Sequence, residues 1–247
     1  MSRHDVPRQA LAEVCSVTKR YRRITALENV SFSLRAGEIL GVIGPNGSGK
    51  TTLFECIAGT LPADAGEVRH AGGPLSVAER SSLLFYLPDA IAPWPAQSVQ
   101  WALDYAIGFF GGAAEHREEL VERLDLGPFL SASIDSLSKG QRKRALLAIG
   151  LLTPQPILFA DEPFDGLDLR QTREVAAVLR DHAARGRTLC LSIHQVTDAA
   201  RLCDRFVLLS GGRVRGEGTL DELAAVAGAR GPAEAPRDLE EIFLALT

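Results

Sequence analysis

Residues 44–51 read GPNGSGKT, and the fold of the whole chain turns on this stretch. It fits the spacing GxxxxGK[ST] and lies between an apolar run, EILGVIG (38–44), and a helix-forming run, TTLFECIAGT (51–60). Glycines at such spacing let successive backbone N–H groups turn inward onto phosphate oxygens, and the following helix presents its positive end to them. Gly44, Pro45, Asn46, Gly47, Ser48 and Gly49 are therefore the expected cradle. Lys50 is placed to reach the outer phosphates, Thr51 to offer its hydroxyl to Mg²⁺, and Thr52 completes the nucleotide-binding candidates. A flexible glycine turn explains the stretch less well, because a buried strand and a helix start flank it on the required sides.

Outward from this loop, strands and helices alternate. VSFSL (30–34) has the period of a half-buried strand, while EILGVIG is continuously apolar, as a strand covered on both faces would be. GEVRHAGG (66–73) reads as a short strand or hairpin arm and SLLFYLP (82–88) as a buried strand. From residue 137 the order is helix (140–152), strand PILFAD (156–161), helix (169–184), strand TLCLSI (188–193), a further helix, strand RFVLLS (205–210) and a closing hairpin, GGRVRGEG. Such alternation predicts an α/β fold with a parallel sheet covered on both faces.

Residues 91–136 differ in composition. Trp94, Trp101, Tyr105, Phe109 and Phe110 lie among helix-forming runs, which predicts an inserted helical subdomain whose small core the aromatics fill. The expected organisation is a core of 1–90 and 137–227, the helical subdomain 91–136, and a linker with a C-terminal helix over 228–247. In the tail LEEIFLALT, residues Leu239, Ile242, Phe243 and Leu246 share one helical face, which predicts docking.

Composition narrows the function classes. The 247 residues are 46% hydrophobic and 23% charged, ordinary for a chain with a real core. Net charge is −4, which argues against nucleic acid as a partner, since that needs a basic footprint. Cys15, Cys56, Cys190 and Cys203 form no CxxC pair and read as reduced core thiols. No run approaches the roughly 18 apolar residues that span a bilayer; the most apolar, residues 145–160, is cut by Pro154 and Pro156. The N-terminus lacks the apolar segment of a secretory signal. Work at a membrane would thus require another chain.

Two further stretches carry chemistry. ILFADEP (157–163) is an apolar strand ending in two adjacent acids, unfavourable to bury unless a cation or a reaction employs them. Neighbouring strand residues point to opposite sides, so Asp161 is the candidate to hold Mg²⁺ and Glu162 the candidate to orient or deprotonate a water. The second stretch, Leu137-Ser138-Lys139-Gly140-Gln141, is a Ser/Gly turn leading into a helix. The basic run Arg142, Lys143, Arg144 behind it reads as a solvated helix face.

Together these motifs make the chain resemble, over roughly residues 11–225, the nucleotide-binding subunit of an ATP-binding cassette (ABC) transporter. The resemblance implies a P-loop NTPase core of ABC type with an antiparallel β subdomain and an inserted helical subdomain, ATP and Mg²⁺ as cofactors, and ATP hydrolysis as the activity. It makes Tyr21 the aromatic that stacks on adenine. LSKGQ is similar to the family signature LSGGQ, so Ser138, Gly140 and Gln141 are implied contacts to nucleotide held by a partner subunit, with Lys139 as the departure, either a cation near phosphate or a solvated side chain. FDGLD (164–168) is similar to the loop that crosses the dimer interface and ends at Asp168, and His194 matches the histidine that meets the terminal phosphate and the catalytic acid, making Glu162 and His194 the catalytic pair.

The implied partners are integral membrane permease subunits and a second copy of the chain, head to tail, on the cytoplasmic face of the membrane. The signature, the FDGLD loop and the tail resemble bacterial export systems with a separate permease. A soluble ABC-type ATPase acting on ribosomes or DNA is the alternative, disfavoured by a single cassette and acidic balance. A regulatory module without turnover is disfavoured because Glu162 and His194 are both present. Asp89, 39 residues after Lys50, stands where the family places a metal-binding glutamine. Gln97 and Gln100 are further candidates for that place, but they lie beyond the APWP segment. Asp89 either serves Mg²⁺ as a stronger ligand or caps the turn after Pro88.

Overall fold

A computed structural model describes residues 10–89, 91–112, 114–229 and 238–247, so most of the expected linker lies outside the described residues. Two long strands, β1 (Ala10–Tyr21) and β2 (Ile24–Arg35), come first. β3 (Ile39–Ile43) runs through the glycine loop into α1 (Lys50–Ala58). β4 (Ala65–His70), the two-residue β5 (Gly73–Pro74), α2 (Val77–Leu83) and β6 (Leu84–Leu87) follow. The inserted segment carries α3 (Val99–Phe110) and α4 (Arg117–Arg123). Then come α5 (Lys139–Leu152), β7 (Ile157–Asp161), α6 (Leu169–Ala184), β8 (Thr188–Ile193), α7 (Val196–Leu202), β9 (Arg205–Ser210), β10 (Arg213–Gly218), α8 (Leu220–Ala229) and α9 (Leu239–Leu246).

The strands form two sheets. One is antiparallel, in the order β2-β1-β4-β5; the other has six strands in the order β10-β9-β3-β8-β7-β6, parallel except for β10 against β9. Every residue of β3, β7 and β8 is buried, as their continuous apolar runs require of central strands.

Alternation along these strands builds two cores. Ile39, Ile43, Leu158, Ala160, Leu189 and Leu191 face one, with Leu103, Leu147 and Leu179 from α3, α5 and α6. Leu40, Val42, Ile157, Phe159 and Cys190 face the other, with Leu53 and Phe54 from α1 and Val14, Val30 and Phe32 from the antiparallel sheet. Continued to the strand ends, this parity puts Asp161 and Ser192 on the α1 side.

Some sequence expectations need correction. The helical segment's core is mainly aliphatic: Val99, Leu103, Leu120, Leu126 and Ile134 are buried, and Trp94 and Phe110 pack against it half-buried, whereas Trp101 is 38% and Phe109 67% exposed. The reason is helical phase. Trp101, Tyr105 and Phe109 recur every four residues on the outward face of α3, opposite Ala102, Leu103 and Ala106. Trp101 stacks on Tyr105 with ring centres 4.9 Å apart, Tyr105 stacks on Phe109 at 5.3 Å, and Trp94 abuts the first two edge-on. The basic run 142–144 is not a solvated face either, because Lys143 and Arg144 are both buried.

β1 has no counterpart among the expected strands. A register irregularity between Val14 and Val17, with Ser16 at φ +54°, breaks the alternation by which it would be read. The tail behaves as expected: α9 buries Leu239, Ile242 and Leu246. Three of the four thiols are buried, and burial pushes that of Cys56 up to about 11.

His182 on α6 is buried as well. Burial, reinforced by Arg187, Arg185 and His116 and opposed by Glu119, pushes its imidazole from 6.5 down to about 4. The fold thus favours the neutral ring; this contribution is complete above pH 6.5 and is lost as pH falls toward 4. Chemical denaturation at a series of pH values should show wild type losing stability across that window and His182→Gln losing less. Parallel curves for the two proteins would contradict the assignment.

Candidate active site

The phosphate loop is shaped by what its backbone must approach. A Cβ on Gly44 would lie 2.2 Å from the Leu209 carbonyl oxygen, so no side chain fits there. Gly49 caps α1 at φ +106°, where a Cβ would also meet the Ala26 carbonyl at 2.8 Å. Lys50 opens α1 with its ammonium buried, donating to the Gly44 carbonyl at 2.8 Å and standing 3.3 Å from Glu162 Oε1. Ser48 Oγ is buried without a hydrogen-bond partner among the described residues.

Opposite the loop, the ends of β7 and β8 meet. Parallel pairing sets Asp161 beside Ser192. The Asp161 carboxylate is buried and accepts hydrogen bonds from Thr51 Oγ1 at 2.7 Å and from Ser192 Oγ. It pairs with no cation among the described residues. A deeply buried carboxylate with a neighbouring hydroxyl and room for phosphates suits Mg²⁺, which takes one or two carboxylates and leaves its other positions to water and phosphate. Thr51 and Asp161 therefore fit the metal the sequence implies.

Glu162 has left the strand and takes φ +48°, unusual for a residue other than glycine. Its N–H donates to Ser192 Oγ at 3.0 Å, and its Oε2 lies 2.6 Å from His194 Nδ1. Glu162 is thus fixed at its backbone by Ser192 and at its carboxylate by Lys50 and His194.

These groups enclose a cleft of about 550 Å³, with the phosphate loop from Pro45 to Thr52 on one side and Asp89, Glu162, Asp165 and His194 on the other. Asp89 Oδ1 accepts from Lys143 Nζ at 2.6 Å, and the same ammonium donates to the Asp161 carbonyl at 3.3 Å.

The remaining candidates lie elsewhere. Ser138 caps α5 through a reciprocal pair of hydrogen bonds with Gln141, and Asp168 caps α6 in the same way with Gln171. Gly140 packs on the FDGLD loop, where a Cβ would lie 2.7 Å from the Gly166 carbonyl. Lys139 is exposed and hydrogen-bonds Asp165, holding that carboxyl below the usual range while its own ammonium is raised. Tyr21 is 44% exposed at the end of β1, outside the cleft lining, with Lys19 Nζ 5.6 Å from its ring centre.

Sequence reasoning missed Ser192, Asp165 and Lys143. Ser192 carried a signal, being a polar residue within the apolar run LCLSI, two positions before His194. Lys143 carried one too, since Gly140, Lys143, Leu147 and Leu151 recur at inward helical spacing.

A family model described as ABC transporter matches residues 27–165. The chain belongs to the ABC transporter family. A zinc transport system ATP-binding protein of Treponema pallidum (strain Nichols) is 34% identical over 208 residues, covering 80% of this chain and 77% of the relative. A daunorubicin resistance ATP-binding protein of Streptomyces coeruleorubidus is 35% identical over 224 residues, covering 85% and 68%. A solved ATP-binding subunit of an ABC transporter superposes with a TM-score of 0.83 at 29% identity, covering 96% of this chain and 99% of the other. The chain therefore has the ABC-type P-loop ATPase fold, binds ATP and is an ATPase.

Ser192→Ala tests the junction in this ABC ATPase. It removes one hydrogen bond to a buried carboxylate and leaves the Glu162 N–H unsatisfied. Urea denaturation should show a loss of about 1.5–3 kcal/mol, the usual worth of a hydrogen bond to a charged group. Turnover should fall with it, and a variant as stable and as fast as wild type would contradict the geometry.

Proposed function

We propose that this ATPase energises an exporter: it binds Mg²⁺-ATP between two head-to-tail copies and drives a separate membrane permease from the cytoplasmic face. The observation that carries the dimer is the separation of the parts. Glu162 and His194 line the cleft, whereas Ser138 and Gly140 stand outside it on a rigidly capped turn, where Ser138 is exposed and available to the nucleotide of another copy and Gly140 packs behind it. Gln141 and Asp168 serve this arrangement by fixing the two turns that would meet the partner.

Within the cleft, phosphoryl transfer asks the protein for position and charge rather than covalent chemistry. Lys50 and the loop N–H groups bind the phosphates. Thr51 and Asp161 would hold Mg²⁺, which supplies charge neutralisation; Asp89 faces the same space with one oxygen committed to Lys143. Glu162 orients the attacking water and accepts its proton, and His194 fixes the Glu162 carboxylate. Tyr21 would stack on adenine beside the loop.

Among the described residues no helix is long and apolar enough to cross a membrane, and this reading gives the transport path to a separate permease. The exposed Trp101 and Phe109 rings on α3, with the half-buried Tyr105 stacked between them, are the apolar surface available to that permease. The relatives' names span a zinc transport system and drug resistance at similar identity. Support for export comes instead from the LSKGQ signature, the FDGLD loop and the LEEIFLALT segment.

Glu162→Gln should keep ATP binding and lower turnover by roughly 10²–10⁴-fold, the worth of a positioned base. Undiminished hydrolysis would refute the role of Glu162. Lys50→Ala should weaken ATP affinity itself, measured by calorimetry. Direction is read by reconstituting the ATPase with its permease in vesicles: ATP supplied on the ATPase side should move substrate away from that side, and movement toward it would mark an importer.

A further inference from the structure

The charges lining the cleft present a physical difficulty. One lysine, Lys50, faces three carboxylates, those of Asp89, Glu162 and Asp165. A site of that balance would repel a nucleotide polyphosphate. Glu162 is answered by Lys50 and lies within hydrogen-bonding distance of His194 in the cleft. The other two acids are answered from behind, by lysines one turn apart on α5: Lys139 bonds Asp165 and Lys143 bonds Asp89.

These two pairs are unequal. The Lys139 side chain is 60% exposed, so its pair is screened and worth little. The Lys143 side chain is 4% exposed, and its ammonium is fixed by both Asp89 and the Asp161 carbonyl. In that setting a unit charge is felt across several ångströms.

We propose that Lys143 is a positioning and charge-compensating residue for nucleotide binding: it neutralises Asp89 and holds it at the end of β6, making an acid at this position compatible with ATP phosphates. The proposal rests on reading the cleft as the ATP site. Because Lys143 also lies on the helix that begins at Ser138, the ion pair ties the cleft wall directly to the turn offered to the second copy.

The test is a double-mutant cycle on the full chain, with ATP and ADP affinities measured by calorimetry in EDTA and again with Mg²⁺. Lys143→Met should weaken ATP roughly 10- to 100-fold in EDTA, the effect of exposing one unit charge in a partly buried site, and weaken ADP less because it carries less charge. Asp89→Asn alone should tighten ATP several-fold in EDTA, leaving Lys143 as an unspent cation. The double variant should return to within a few-fold of wild type.

Wild-type affinity in Lys143→Met, or a double variant as weak as Lys143→Met, would overturn the proposal. If Lys143→Met does not fold, Asp89→Asn decides alone, and weaker ATP binding by that variant would count against compensation. Failure of the underlying reading looks different: ATP would then bind Lys50→Ala as tightly as wild type.

Discussion

The Asp161 carboxylate is buried at the end of a fully apolar strand, and the arrangement of the site follows from keeping it there. An ionised carboxylate in such surroundings is costly unless hydrogen-bonded. Here its bonds come from Thr51, at the start of α1, and Ser192, across the parallel ladder on β8. Those two hydroxyls fix the phosphate loop against β7 and β8, and Ser192 then holds the backbone of Glu162. One strand register thus sets the relative position of the phosphate loop, the Thr51–Asp161 pair and Glu162. All of them lie at the C-terminal edge of the parallel strands, where open α/β sheets place their ligands.

Glu162 shows how tightly this junction is determined. Its left-handed backbone costs of order 1–3 kcal/mol, and such conformations persist only where surrounding contacts over-determine them. Ser192 at its N–H, and Lys50 and His194 at its carboxylate, are those contacts. The direction of the side chain is therefore set by the fold's own contacts.

What the sequence reveals and conceals follows the range of the interactions. GPNGSGKT, ILFADEP and the alternation of strands and helices are local patterns, and the parallel sheet and buried strands were legible from them. The phase of α3 was equally local, yet five aromatics suggested a core, while helical spacing put Trp101 and Phe109 outside and left Trp94 and Phe110 at the core's edge. Asp89 and Lys143 are 54 residues apart, and their pairing depends on how β6 and α5 pack. A basic triplet reads as solvated until the helix's inward stripe is seen to pass through Lys143. The strand β1 stayed hidden because its irregularity at Ser16 breaks the period that would announce it.

The Asp89–Lys143 pair also has a historical consequence. Two positions that neutralise one another across the fold behave as one heritable unit: exchanging either alone leaves a stray charge beside the nucleotide. A lineage moving between an acid and a neutral amide at 89 must pass through an unpaired intermediate or change both sites together. Grafting the acid into a relative that lacks the lysine would transplant only half of the device.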